Sequence, residues 1–224
     1  MSLRTIAASG LAVAGLLLGP AVAAQAATPA QLTGTQLASR LLPASYFPSG
    51  YKIVKAASFN TGSRLEHAPA RFHLATFSCK TFMLKGLPGS GFGETAAAGR
   101  TVAKQQVATA YQQAVLQFAS SSKASTFYRQ LYAFIGRCRT VTAPFNHGTA
   151  RLTTQSLKKT HLGKLRAFRA KQTFTAPGLA VVGDTLVTVS GRDVYFIEAA
   201  GVNKAPSKPT LPAAALRLIA RVRA

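Results

Sequence analysis

Cys79 and Cys138 are the only cysteines in the chain, and about 60 residues separate them. Whether they pair depends on the compartment, and the N-terminus bears on that. The stretch "MSLRTIAASGLAVAGLLLGPAVAAQAATPA" places one basic residue, Arg4, ahead of an apolar core from Ile6 to Leu18. Pro20 breaks the core, and Ala24-Gln25-Ala26 is a small-x-small cleavage site. Residues 1–26 therefore read as a secretory signal peptide cut before Ala27. The competing reading is a retained anchor, but the apolar run is short for a membrane span. No cysteine near the cut could carry a lipid. An exported chain folds under oxidising conditions, so the two cysteines are expected to form one disulfide, Cys79–Cys138. Closing that loop stabilises the fold by about 4 kcal/mol on the chain-entropy model. A redox-active pair is the alternative, and it lacks the usual Cys-x-x-Cys spacing.

Residues 27–224, about 200 in number, suit a single domain with its own core. With 48% hydrophobic residues in periodic runs, the chain is not of the disordered class. The segment "SSSKASTFYRQLYAFIGRC" is the clearest element. Ser121 or Ser122 caps it, and Phe127, Leu131, Phe134, Ile135 and Cys138 fall on one helical face. Before it, Ala108–Phe118 alternates as a strand, with Tyr111 and Val115 on one face and Ala114, Leu116 and Phe118 on the other.

Thr33 or Thr35 caps a short first helix that carries Leu37 and Leu41 and is stopped by Pro43. Tyr51–Ala57 reads as a strand. Ala70–Cys79 reads as a less regular one, with Phe72 and Leu74 opposite His73 and Phe77. Lys164–Ala176 reads as a strand, and Leu179–Gly201 as two strands joined at "SGRD". The chain closes on a helix capped by Thr210, with Leu211, Ala215, Leu218, Ile219 and Val222 inward and Arg217 and Arg221 outward. Residues 140–163 carry turn residues and no clear period.

Few residues suggest chemistry. The glycine-rich "GLPGSGFGETAAAGR" lacks the Gly-Lys-Ser/Thr close of a phosphate loop and reads as a mobile surface loop. The acidic residues are Glu66, Glu94, Asp184, Asp193 and Glu198, and no spacing nominates a catalytic pair among them. Asp184 and Asp193 sit in turn contexts, where Asp is common. His67, His73, His147 and His161 show no metal-ligand spacing, so no metal site and no cofactor is expected. His147 and His161 flank a basic region, which keeps an exported nuclease or hydrolase acting on polyanions as the alternative function.

Charge is the strongest remaining signal. The chain has 27 basic and 5 acidic residues, a formal net charge of +22. No acidic residue occurs between Thr95 and Gly183. Such a field attracts polyanions. Arg151, Lys158, Lys159, Lys164, Arg166, Arg169 and Lys171 are the candidate contact patch. If Lys164–Ala176 is a strand, Arg169 and Lys171 share one face and Arg166 takes the other, which splits the patch. The expected partners are an anionic cell-wall polymer, a lipid head group or a small ligand, with peripheral rather than integral membrane association. No motif for sequence-specific nucleic-acid recognition appears.

Four features resemble a known family: the "LLP…YFPSGY" opening, the strand running into a helix that ends in Cys138, the upstream Cys79, and the close "GDTLVTV", "GRDVYFIEAAG" and "LRLIARVRA". Together they resemble the extracellular sensor domain of PknH-type receptor serine/threonine kinases of mycobacteria, and the exported actinobacterial proteins built on it. The resemblance covers most of residues 30–224. It implies an α+β domain, a central and mainly antiparallel sheet flanked by helices, with a cleft. It also implies a ligand-binding or sensor-like role without catalytic residues. Family members commonly carry a second cysteine pair, and often a tryptophan before the helix-end cysteine; this chain has neither. The 224 residues contain no kinase domain. The expectation is a free-standing, exported, envelope-associated, non-enzymatic member.

Overall fold

The computed structural model describes residues 30–104, 106, 108–146 and 148–224. The expected signal peptide, residues 1–26, lies outside the described residues, as does His147. Eight strands form one sheet: β1 (Lys52–Asn60), β2 (Ala96–Lys104), β3 (Thr109–Gln117), β4 (Thr140–Phe145), β5 (Gly148–Leu162), β6 (Leu165–Ala176), β7 (Leu179–Ser190) and β8 (Asp193–Val202). Their order is β1-β2-β3-β8-β7-β6-β5-β4, and every pairing is antiparallel. Helices α1 (Gly34–Arg40) and α4 (Leu211–Arg223) cover one face; α2 (Cys79–Lys85) and α3 (Ser121–Arg137) cover the other. This is the expected α+β architecture.

The sheet has apolar residues on both faces because helices cover both. On β3, Tyr111 and Val115 pack towards α1 and α4, while Leu116, and Phe118 just after the strand, pack towards α3. The α4 stripe of Leu211, Ala215, Leu218, Ile219 and Val222 is buried as its spacing predicts. Thr33 closes a capping box with Gln36 at the start of α1. The cap of α3 is Ser120, whose side chain accepts from the Lys123 N–H, one residue earlier than expected.

Helix α3 carries the chain from β3 to the far edge at β4, crossing over β8, β7 and β5 on the way. Its predicted face is buried, and Cys138 at its C-cap is bonded to Cys79 with the Cα atoms 5.4 Å apart. The partner element differs from expectation. Residues 70–78 form turns and irregular chain, and Cys79 opens α2, capped by Ser78. The disulfide therefore ties two helices on one face of the sheet and does not tie a helix to a strand. The alternation of Phe72, Leu74 and Phe77 reflects aromatic packing against Phe92 and Phe134, which irregular chain supplies as well as a strand does.

Two further stretches read incompletely from sequence. Residues 140–162 are the β4–β5 hairpin, turning at Asn146 in a left-handed conformation (φ 51°). The glycine-rich stretch is not simply a mobile surface loop. Its end, from Ala96, enters β2, and Ala96, Ala97 and Ala98 are fully buried.

Candidate functional site

On the α3 face a cleft of about 490 Å³ lies between the sheet, α3, α2 and the loop after α2. Its walls follow from local sequence. Phe127, Leu131 and Ile135 come from the inward stripe of α3. Phe82 comes from α2, which the disulfide holds beside the end of α3. The Arg137 guanidinium adds a second tie, donating to the carbonyls of Leu74 (3.0 Å) and Phe77 (3.1 Å). Leu87, Pro88, Gly89 and Phe92 form the loop wall.

That loop is held by its own carboxylate. Glu94 is buried and accepts from the N–H groups of Gly91 (2.6 Å) and Phe92 (2.7 Å). Gly91 and Gly93 adopt positive φ there. Backbone N–H groups so arranged could bind an anion, but Glu94 already occupies them, so the loop is no phosphate cradle. Phe59 of β1 lies against Gly99 and Gly89. A methyl group at Gly99 would come within 2.2 Å of the ring, so a side chain there could not coexist with Phe59 in place.

The floor is a row of register-paired residues. Thr101 opposes Gln112, Gln112 opposes Glu198, and Glu198 opposes Thr185. The next row towards α3 is Gly99, Ala114, Phe196 and Val187. One end of the floor is thus polar and the other apolar. Glu198 is the only acidic residue lining the cleft, and no protein hydrogen bond reaches its carboxylate among the described residues. Its carboxylate extends towards Gly183, which has no side chain to obstruct it. The group is deep enough that burial, with a further push from the Asp184 charge, raises its pKa to about 7. It nevertheless keeps some exposed surface through the cleft mouth. Arg100 does not neutralise it. That guanidinium donates through the α1 side of the sheet to the carbonyls of Ala38, Leu41 and Leu42. Lys85 stands at the cleft rim.

Sequence reasoning counted Glu198 among five acids and singled out none. Only strand register makes it the acidic residue of the cleft. The other acids serve elsewhere. Asp184 lies in the middle of β7, not in a turn, and accepts from the Arg169 Nε at 2.7 Å. Asp193 follows the β7–β8 turn, where it accepts from Gln117 (3.0 Å) and Tyr195 (3.2 Å). Burial raises its pKa against the opposing effect of those bonds.

The seven candidate polyanion contacts are all exposed. Register divides them as anticipated. Arg166 donates to Ser125 of α3 and Lys159 lies over the Tyr132 ring, so both stand on the α3 face. Lys158 opposes Arg169 on the other face, which Lys171 and Arg151 share, while Lys164 sits in the β5–β6 turn. Arg169 is bound in the ion pair with Asp184. The cluster is therefore not one patch. His161 is an exposed residue of β5 opposite Arg166. Among the described residues, no three His, Cys, Asp or Glu side chains gather as a metal site. No helix among them is long and apolar enough to cross a membrane.

No family model matches the chain, and no curated protein matches it. Its structure is similar to the extracellular domain of PknH from Mycobacterium tuberculosis, with a TM-score of 0.59 and 16% identity, covering 87% of this chain and 98% of that one. A putative uncharacterized protein from Mycobacterium smegmatis aligns with a TM-score of 0.38 and 11% identity, over 80% of this chain and 93% of that one. At such identities the likeness to the PknH domain is one of fold, and it is the fold that the sequence motifs implied.

Proposed function

We propose that this protein is an exported, non-enzymatic binding protein whose α3-face cleft takes a small, largely apolar ligand. The cleft itself carries the reading: about 490 Å³ of space walled by phenylalanines and aliphatic side chains, with a polar row at one end. That is the usual composition of a small-molecule site. A hydrolase built on two carboxylates needs a second acid beside the first, and Glu198 lines the cleft alone. Two further facts fit an exported setting: the apolar leader-like N-terminus and the formed disulfide. The fold of a receptor's extracellular domain fits a sensor-like role. The basic exterior, +22 in all, would hold the protein near anionic envelope polymers or lipid head groups.

Calorimetric titration with octanol, an uncharged apolar probe, tests the cleft. Octanol should bind the native chain. It should bind poorly to Ala114→Phe, which fills the floor beneath α3, and to Gln112→Trp, which crowds the mouth from an exposed position. Cooperative melting of each variant verifies folding. Binding unchanged in both variants would place the probe elsewhere and overturn the reading.

A further inference from the structure

The chain carries 27 basic residues and 5 acidic ones, yet the acid that lines its cleft, Glu198, is paired with no basic side chain among the described residues. Asp184 has Arg169, Glu94 has two backbone N–H groups, and Asp193 has Gln117 and Tyr195. Among the described residues Glu198 has none of these, in a chain rich in basic side chains. A carboxylate left unpartnered in a low-dielectric cleft either takes up a proton or is stabilised by a ligand that supplies a charge or a donor. The cleft it lines is rich in aromatic side chains: Phe59, Phe82, Phe92, Phe127 and Phe196 all border the same space. A carboxylate at one end of an aromatic-walled cleft favours an ammonium group with an apolar body: the charge complements the head and the phenylalanines take the tail.

Resting on the cleft reading above, we infer that the ligand is an amine-headed apolar molecule. Its ammonium group is set against the Glu198 carboxylate between Gln112 and Thr185, and its apolar body lies under α3. The register supports this division. The polar row crosses the sheet at Thr101, Gln112, Glu198 and Thr185, and the adjoining row is apolar throughout. The head and tail of an amphiphile would follow those two rows. The net charge of the protein opposes a cation at long range, so the attraction must be local. Salt screens the long-range repulsion more than the contact inside the cleft. Amine binding should therefore hold or strengthen as salt rises.

Octylammonium, octanol and octanoate share one tail and differ in the head, so their titration into the native chain and into Glu198→Gln tests the inference. The amine should bind about tenfold or more tightly than the alcohol, and should lose that advantage in Glu198→Gln, while octanol is little changed. The Ala114→Phe variant should abolish binding of the amine; binding that persists there is on the surface and overturns the inference. If the three probes bind alike, or octanoate binds best within the cleft, the amine inference fails and the cleft reading stands. If the amine is preferred but Glu198→Gln leaves it unaffected, the head is read by another group and the inference also fails. If no probe binds, both readings fall.

Discussion

Glu198 has a measurable consequence even in the empty protein. Its carboxyl is pushed up to about 7 by burial and by the Asp184 charge, whereas an unfolded chain would ionise it near the ordinary glutamate value. Between those two values the folded state holds the proton more firmly than the unfolded state. Stability from this group is thus present at low pH and is lost as pH rises through about 7. Glu198→Gln removes the titration while keeping the shape. Relative to the native chain, the variant should gain on the order of 2 kcal/mol between mildly acid and mildly alkaline pH, the figure being reduced because the carboxyl still meets cleft water. Thermal melts of both proteins at the two ends of that range check it, and parallel behaviour would show that Glu198 ionises freely. The sequence shows this glutamate within an apolar strand, which hints at burial. Its neighbours Gln112 and Thr185 come from strands that only long-range pairing brings alongside.

Among the elements, α3 was almost fully legible: stripe and cysteine follow from spacing along one helix, and only the cap lies one residue earlier than expected. The segment it clamps was not. Ser78 caps α2 as serines often do, but a helix of seven residues is too short to show a period. The pairing of Cys79 with Cys138 closes a loop of 59 residues and positions Phe82 against the α3 wall. Cys79→Ser with Cys138→Ser should therefore cost up to about 4 kcal/mol. The same change should weaken octanol binding, because α2 then lacks its covalent tie beside α3. Denaturant unfolding and calorimetry measure the two effects, and full retention of binding would show that the Arg137 contacts suffice to hold α2 in place. The β4–β5 hairpin escaped reading for another reason. Its outer stretch, Lys158–His161, is exposed on both faces, so it has no apolar side to alternate with a polar one. The bulge between Thr154 and Ser156 also shifts the phase midway.

At the scale of the whole molecule, charge governs a different encounter from the one in the cleft. A linear polyanion bound to the exterior should lose at least tenfold in affinity as salt rises from about 50 mM to about 200 mM. The sheet sorts the candidate lysines and arginines into two groups, so the contact can be assigned to a face. Replacing Lys159 and Arg166 by Ala alters the α3 face; replacing Lys158 and Lys171 alters the other. One pair should lower the salt dependence clearly more than the other. Equal, small effects would point to a diffuse field without a contact patch. Arg169→Ala should matter less than any of these, since Asp184 already balances that guanidinium.

The sequence by itself determined what depends on neighbours along the chain: the α3 and α4 stripes, the Thr33 and Thr210 caps, the β6 to β8 strands and the excess of positive charge. The expected pairing of the two cysteines needed only their number and an oxidising compartment. The tertiary structure alone decided which face of the sheet each basic residue occupies, that Cys79 opens a helix, and that Glu198 stands in a phenylalanine-walled cleft. Those facts depend on register between strands far apart in sequence, where a shift of one residue exchanges the faces. No local pattern encodes such a register.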